Sequence, residues 1–264
     1  ATAAAMREAQ LAKQESLTAD EKKPSKTSSA PGERRKALVI GNDLYKHVPS
    51  LSNAVYDAKS ISREMQSLGY VVTEQYDLTE RGMLDAIRSF SSKVNKGDEV
   101  LFFYAGHGVQ LGSSNYLLPV DIRGQDARQV RDEAVDLQRV LTDMDERGAK
   151  LTLAVIDACR DNPFKTVGRS IGGLGLAPTT AAAGQMILFS AGTGQQALDK
   201  LGQGDSNPNG VFTRVFLEEI KNSKLPIDRI IRNVRKRVVA LADSVGHKQT
   251  PAIYDQVVGD FYFV

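Results

Sequence analysis

This chain has almost no cysteine and no long apolar run. Cys159 is the single cysteine among 264 residues, which excludes an internal disulfide and a structural zinc site built on several thiolates. The fold must therefore stand on its apolar core, and a hydrophobic share of 41% is enough for a sizeable one. No stretch of about eighteen apolar residues occurs, so no transmembrane helix is expected. An excess charge of one sign is also missing. The 34 Lys and Arg against 32 Asp and Glu leave +2, a balance that demands neither a nucleic acid nor a membrane surface as partner. There is no Gly-Lys-Ser/Thr phosphate loop, and Gly172, Gly173 and Gly175 lack the strand-then-helix setting of a dinucleotide site.

The first residues lack the charged-then-apolar pattern of a secretory signal. A start at Ala1 fits removal of an initiator methionine, cleavage of a preceding signal, or the choice of segment. The compartment stays open, with the cytoplasm ahead of export. Residues 1–33 differ from the rest. Ala3 to Leu17 has the composition of a short polar helix, and Thr18 to Glu33, with Pro24, Pro31 and several Ser and Lys, reads as a linker. A globular domain is expected over 34–264.

Within it, strand-like and helix-like segments alternate. Lys36 to Gly41, Tyr70 to Tyr76, Glu99 to Ala105, Lys150 to Ile156 and Gln185 to Ser190 read as strands, and Asn115 to Val120 as a short strand-like excursion. Helical periodicity runs over Asn53 to Leu68, Thr79 to Val94, Leu137 to Arg147, Gly210 to Asn222 and Ile227 to Asp243, and a final extended piece covers Phe261 to Val264. Strands apolar on both sides, alternating with helices, predict an α/β fold with a mostly parallel sheet covered on both faces. In such sheets active sites form at the carboxyl ends of the strands. The arginines of the Arg229 to Arg237 stretch lie opposite the apolar face Ile227, Ile230, Ile231, Val234 and Val238, so they read as a solvated helix face rather than a nucleic-acid surface.

Two segments sit at such strand ends: Tyr104-Ala105-Gly106-His107-Gly108 and Asp157-Ala158-Cys159-Arg160-Asp161. A lone cysteine is ordinarily a small buried hydrophobe, and a lone histidine a satisfied loop residue. Their shared position at core strand ends favours chemistry instead. A thiol needs a base to become a nucleophile at neutral pH, and imidazole is the usual one. His47 and His247 lie in polar loops away from core strands. The glycines around His107 are expected to turn the chain out of its strand and leave the Gly108 amide facing substrate, where it could bind an oxyanion together with the Cys159 amide. Asp157, two residues before Cys159, should share its face and flank the nucleophile. A carboxylate there calls for a cation, which a substrate arginine or lysine would supply. The alternative for Asp157 is a cap on the following turn.

The segments "ALVIGNDLY", "VYDAKSI", "LFFYAGHGVQ", "NYLLPVD", "IDACRDNPF", "FSAGTGQQALD", "NGVFTRVFLEEI", "KQTP" and "GDFYFV" resemble, in order from Arg35 to Val264, the bacterial caspase-like cysteine peptidases called orthocaspases, relatives of metacaspases and paracaspases in clan CD. The resemblance implies a caspase-type three-layer sandwich with a six-stranded, mostly parallel sheet. It implies a large-subunit-like region over about 34–165, a loop over about 161–184 and a small-subunit-like region over about 185–264. His107 and Cys159 match the catalytic dyad, with Gly108 as the backbone oxyanion donor. Asp157 stands where true caspases carry glutamine, and Asp57 matches a second acid of the P1 pocket. Outside the resemblance, Asp57 would read as a solvated residue near a helix start. Together these imply cleavage of protein or peptide substrates after Arg, then Lys, and Lys165 and Arg169 make the 161–184 loop a candidate for self-cleavage. Ala105 departs from the serine that metacaspases often carry two residues before the histidine. Their calcium-binding acids are matched only in part, by Asp121, Asp132 and Glu133, so no cofactor or metal is expected to be required. The alternative from another class is a caspase-fold interaction module that binds peptides without cutting them. Oligomeric state is not legible.

Overall fold

The computed structural model describes residues 34–159, 163–166, 176–221 and 224–263. Residues 1–33, and with them the expected polar helix and linker, lie outside the described residues, as do Arg169 and most of the loop expected after Cys159.

Eight strands are described: β1 (Arg35–Gly41), β2 (Val71–Tyr76), β3 (Glu99–Leu111), β4 (Ser114–Leu117), β5 (Val135–Asp136), β6 (Leu151–Cys159), β7 (Gln185–Phe189) and β8 (Ala252–Asp255). Six form the main sheet in the order β2-β1-β3-β6-β7-β8, all parallel except β8. The helices are α1 (Ala54–Ser67), α2 (Glu80–Ser91), α3 (Ala127–Glu133), α4 (Leu137–Asp145), the single turn α5 (Pro163–Thr166), α6 (Val211–Lys221) and α7 (Ile227–Ser244).

Strand alternation sends neighbouring residues to opposite faces. Ala37, Val39, Leu101, Phe103, Leu153 and Val155 point into one core, which α1, α6 and α7 cover with Ile61, Met65, Phe212, Phe216, Ile231 and Val234. Leu38, Ile40, Phe102, Tyr104, Ala154 and Ile156 point the other way, against Met83, Ile87 and Phe90 of α2 and Val140, Leu141 and Met144 of α4. The result is a helix–sheet–helix sandwich, as expected. The arginines of α7 face outward, and Arg237 reaches across to Glu219 of α6 at 2.8 Å and to Glu218.

Four features differ from expectation. First, β3 does not stop at Ala105. It runs on to Leu111 and folds back through a Gly112–Ser113 turn onto β4, so His107 and Gly108 lie inside a strand rather than beyond it. The peptide groups there need partners, and the hairpin supplies them; the Leu118 amide, for example, donates to the His107 carbonyl at 3.0 Å. Second, α3 and β5 form between Val120 and Leu137, where no periodicity marked them; α3 is capped by Asp126, which accepts the Gln129 amide at 2.8 Å. Third, the last main-sheet strand is β8, while 261–263 has no regular structure and instead buries Phe261 and Phe263 in the core. Fourth, residues 163–166 of the expected loop form a helical turn, α5.

Candidate active site

The offset between paired residues of β3 and β6 is constant. Glu99 pairs with Leu151 and, eight residues on, His107 pairs with Cys159. Register partners on adjacent strands lie about 5 Å apart, so the histidine and the cysteine are level at the carboxyl end of the central strand pair. One residue in, Gly106 pairs with Ala158, and Ala105 with Asp157.

His107 is 4% exposed and fixed on three sides. Its Nε2 lies 2.8 Å from the Pro49 carbonyl oxygen. A carbonyl can only accept, so Nε2 carries the proton and Nδ1 is the nitrogen of the neutral ring that can take one up. The Tyr45 ring packs against the imidazole, with centroids 4.5 Å apart and planes tilted by 54°. The Tyr45 hydroxyl accepts the His107 amide at 2.8 Å and lies 3.2 Å from the Leu118 carbonyl, while Tyr104 donates from its hydroxyl to the His107 carbonyl at 2.8 Å. These two hydroxyls explain Gly106: a Cβ there would stand 2.6 Å from the Tyr104 oxygen and 2.8 Å from that of Tyr45. Gly108 packs so that a Cβ would meet Ala158 at 3.1 Å and Leu176 at 3.2 Å.

Beside this pair lies a small cleft whose lining includes Asn53, Asp57, Gly106, Asp157, Asp199 and Gly210. Asp57 is 4% exposed. It lies on the inner stripe of α1 with Ala54, Ala58 and Ile61, at a place where the helical period calls for an apolar residue, and it is not the solvated acid that its position alone suggested. That break in the stripe was the readable signal. Its Oδ1 accepts from Asn209 Nδ2 at 2.7 Å and from the Gly210 amide at 3.1 Å. Asp157 is half-buried, and its Oδ2 accepts the Thr213 hydroxyl at 2.7 Å. Burial away from water, reinforced by the neighbouring Asp157 charge, pushes the Asp57 carboxyl from 3.8 up to about 8, against the pull of the Asn209 and Gly210 hydrogen bonds. The structure thus brings Asp57 and Asp157 together in one cleft next to the strand ends that carry His107 and Cys159.

Sequence reading missed the residues that hold the cleft. Asn209, Gly210 and Thr213 all come from the start of α6. The loop before it is braced by Arg214, whose guanidinium bonds Asp205 at 2.8 and 3.0 Å and the Asn209 carbonyl at 2.9 Å. That guanidinium, with the amides of Leu201 and Asn207, holds the Asp205 carboxyl well below the usual range. Buried Gln249 ties the same loop to the sheet, accepting the Leu198 amide at 3.0 Å and donating to the Ser190 carbonyl at 2.9 Å. Exposed Asp199 sits at the cleft's rim and also raises Asp57. The two other histidines are remote in role: His47 is exposed, and His247 Nε2 lies 2.9 Å from the Gln196 carbonyl. Of the acids matched to a calcium site, Asp121 accepts the Glu80 amide at 2.9 Å, and Glu133 accepts the amides of Arg123 and Gly124 at 2.7 and 3.1 Å. Among the described residues no group of three or more His, Cys, Asp or Glu side chains is arranged to hold a metal ion.

The caspase-domain family pattern matches residues 34–262. The chain belongs to the caspase-domain family. That family is one of cysteine peptidases, and the sandwich described above is its fold. Among curated proteins, the chain is similar to the human mucosa-associated lymphoid tissue lymphoma translocation protein 1, with 31% identity over 125 residues, which is 47% of this chain and 15% of that protein. The mouse homolog matches equally, at 31% over 125 residues and 14% of its length. Cell death protein 3 of Caenorhabditis remanei is 27% identical over 151 residues, 55% of this chain and 27% of that protein. The matches thus span well under a third of each relative's own length. No helix among the described residues is long and apolar enough to cross a membrane.

Proposed function

We propose that this caspase-domain protein is a cysteine endopeptidase that cuts peptide bonds after Arg, then Lys. The observation that carries the reading is the buried pair of carboxylates, Asp57 and Asp157, in a cleft beside the level His107–Cys159 strand ends. Two carboxylates in one pocket repel an aspartate side chain and attract a guanidinium.

In the proposed reaction the Cys159 thiol gives its proton to His107 and its sulfur attacks the scissile carbonyl carbon. The oxyanion is held by backbone amides, that of Gly108 among them. His107 then protonates the leaving amine as the C–N bond breaks, leaving a thioester. Water, deprotonated by His107, hydrolyses the thioester and the thiol is restored. Pro49 and Tyr45 hold the ring so that Nδ1 performs each transfer. Lys165 and Arg169 fit the same preference, which makes self-cleavage after them part of the proposal; an unchanged band pattern in the Lys165→Ala/Arg169→Ala double variant removes it. No metal enters the mechanism.

The test is hydrolysis of fluorogenic peptides with Arg, Lys or Asp at P1, by wild type and Cys159→Ala, with and without calcium. Turnover of the Arg peptide, lost in Cys159→Ala and indifferent to calcium, is expected. Preference for the Asp peptide, or undiminished turnover by Cys159→Ala, sinks the reading.

A further inference from the structure

Asn53 occupies the N-cap position of α1, where an asparagine side chain ordinarily accepts an amide of the first turn. Here it does not. Asp43 has taken over that duty, accepting the Ala54 amide at 2.9 Å and the Val55 amide at 3.0 Å. The Asn53 side chain, 8% exposed, turns instead to the wall of the acidic cleft. Its Oδ1 accepts the Ser52 hydroxyl at 2.9 Å, and its buried Nδ2 has no hydrogen-bond partner. A buried amide nitrogen without a partner costs about 1–3 kcal/mol, and such exceptions call for a reason. A ligand supplies one.

We propose that Asn53 is a specificity-determining residue of the cleft, whose amide carbonyl accepts an N–H of a bound guanidinium and so separates arginine from lysine. This inference rests on the basic-P1 reading above. A guanidinium carries five N–H donors in a plane, whereas an ammonium carries three at a point. Each cleft carboxylate already has one oxygen committed to protein donors, Asp57 to Asn209 and Gly210, Asp157 to Thr213. A neutral acceptor on the wall adds a partner for a guanidinium without adding a third buried charge. The amide can present it at little cost. Turning the group by half a revolution brings Oδ1 to the ligand and Nδ2 to Ser52, whose hydroxyl both donates and accepts. In the empty cleft Nδ2 makes no bond that this turn would break.

The experiment measures dissociation constants of peptides with Arg, Lys or norleucine at P1 for Cys159→Ala protein, alone and combined with Asn53→Leu or Asn53→Asp. Working in the uncleaving background makes the result independent of turnover. Leucine matches asparagine in size and lacks its polar atoms; aspartate keeps the acceptor and loses the donor. Asn53→Leu is expected to lower the Arg-over-Lys ratio about tenfold, the worth of a hydrogen bond to a charged group. Its melting temperature should equal or exceed the parent's, because a buried unpartnered N–H is gone. Asn53→Asp is expected to keep the preference for Arg. An unchanged ratio in Asn53→Leu, equal losses for Arg and Lys, or loss of the Arg preference in Asn53→Asp overturns this inference alone, provided both basic peptides still outbind norleucine. If neither basic peptide outbinds norleucine in the parent, the basic-P1 reading falls and takes Asn53 with it.

Discussion

Replacing Asp57 by asparagine should make the protein more stable and its substrate pocket worse. In the unfolded chain the Asp57 carboxyl titrates near 3.8; in the fold, burial and then the Asp157 charge raise it to about 8. Below the lower value both states hold the proton, and Asp57 contributes nothing to the pH dependence. Between the two values the folded state keeps a proton that the unfolded state has lost, so stability falls as pH rises, by at most about 1.36 kcal/mol per unit. Above the higher value both states are ionised and the whole cost is present. Applied between pH 5 and pH 8, that slope sets a ceiling of about 4 kcal/mol, and relaxation around the charge brings the expected loss to about 2 kcal/mol. The substituted asparagine keeps an oxygen for Asn209 and Gly210 and carries no charge for Asp157 to repel. The assay is denaturant unfolding of wild type and Asp57→Asn at pH 5, 6.5 and 8, read as the difference between the two proteins so that all other titrations cancel. The variant should gain on wild type steadily with pH while its kcat/KM for an Arg peptide drops about 10- to 100-fold, the loss of a charge-assisted contact. A difference between the two proteins that stays flat from pH 5 to pH 8 refutes the argument.

Tyr45→Phe removes the acceptor of the buried His107 amide while keeping the ring against the imidazole. It should lower kcat about tenfold with KM little changed, because the loosened group acts in the transition state; a change confined to KM counts against it. Thr213→Val keeps the shape of Thr213 and deletes the hydroxyl that holds Asp157 at 2.7 Å. KM for Arg and Lys peptides should rise about tenfold, and a variant indistinguishable from wild type on both shows that Asp157 needs no such support. Inserting one glycine after exposed Gln125, ahead of the α3 cap, changes the spacing of His107 and Cys159 without touching either strand, and turnover should survive. Inserting one alanine after Asp157 moves Cys159 out of register, and turnover should vanish; equal behaviour of the two insertions contradicts the register argument.

The layered fold was legible because most of its information is local. β1, β6 and β7 are apolar on both sides, α1, α2, α4, α6 and α7 carry clean 3.6-residue periods, and glycines such as Gly69 punctuate them. What escaped was set by distant partners. α3 buries only Val130 and is held by its Asp126 cap, so its sequence shows almost no stripe. β8 is four residues long and only partly buried, and an edge strand of that length leaves no period to count. The continuation of β3 past His107 was hidden by Gly106 and Gly108, which read as a break. They are there for close approach instead, Gly106 beneath two tyrosine hydroxyls and Gly108 against Ala158 and Leu176.

The site shows the same division more sharply. A separation of 52 residues between His107 and Cys159 carries no geometry by itself, since it spans a hairpin, two helices and their loops. It acquires meaning because each residue stands eight positions past the first residue of its strand, Glu99 in β3 and Leu151 in β6, and the two strands pair in register. The counts that matter are thus taken within strands, where the rise per residue is constant, and not through the segments between them. No such rule reaches Asp57. It enters the cleft because α1 lies against β1 so closely that a Cβ on Gly41 would stand 2.7 Å from the Ala54 carbonyl oxygen and 2.7 Å from the Ala58 side chain. Its partners Asn209 and Gly210 arrive from about 150 residues further on. An acid on an apolar stripe therefore marks a buried charge from sequence alone, while the identity of what balances it is a property of the packed helices α1 and α6. That is why a strand-end pair could be found by counting, and a pocket only by folding.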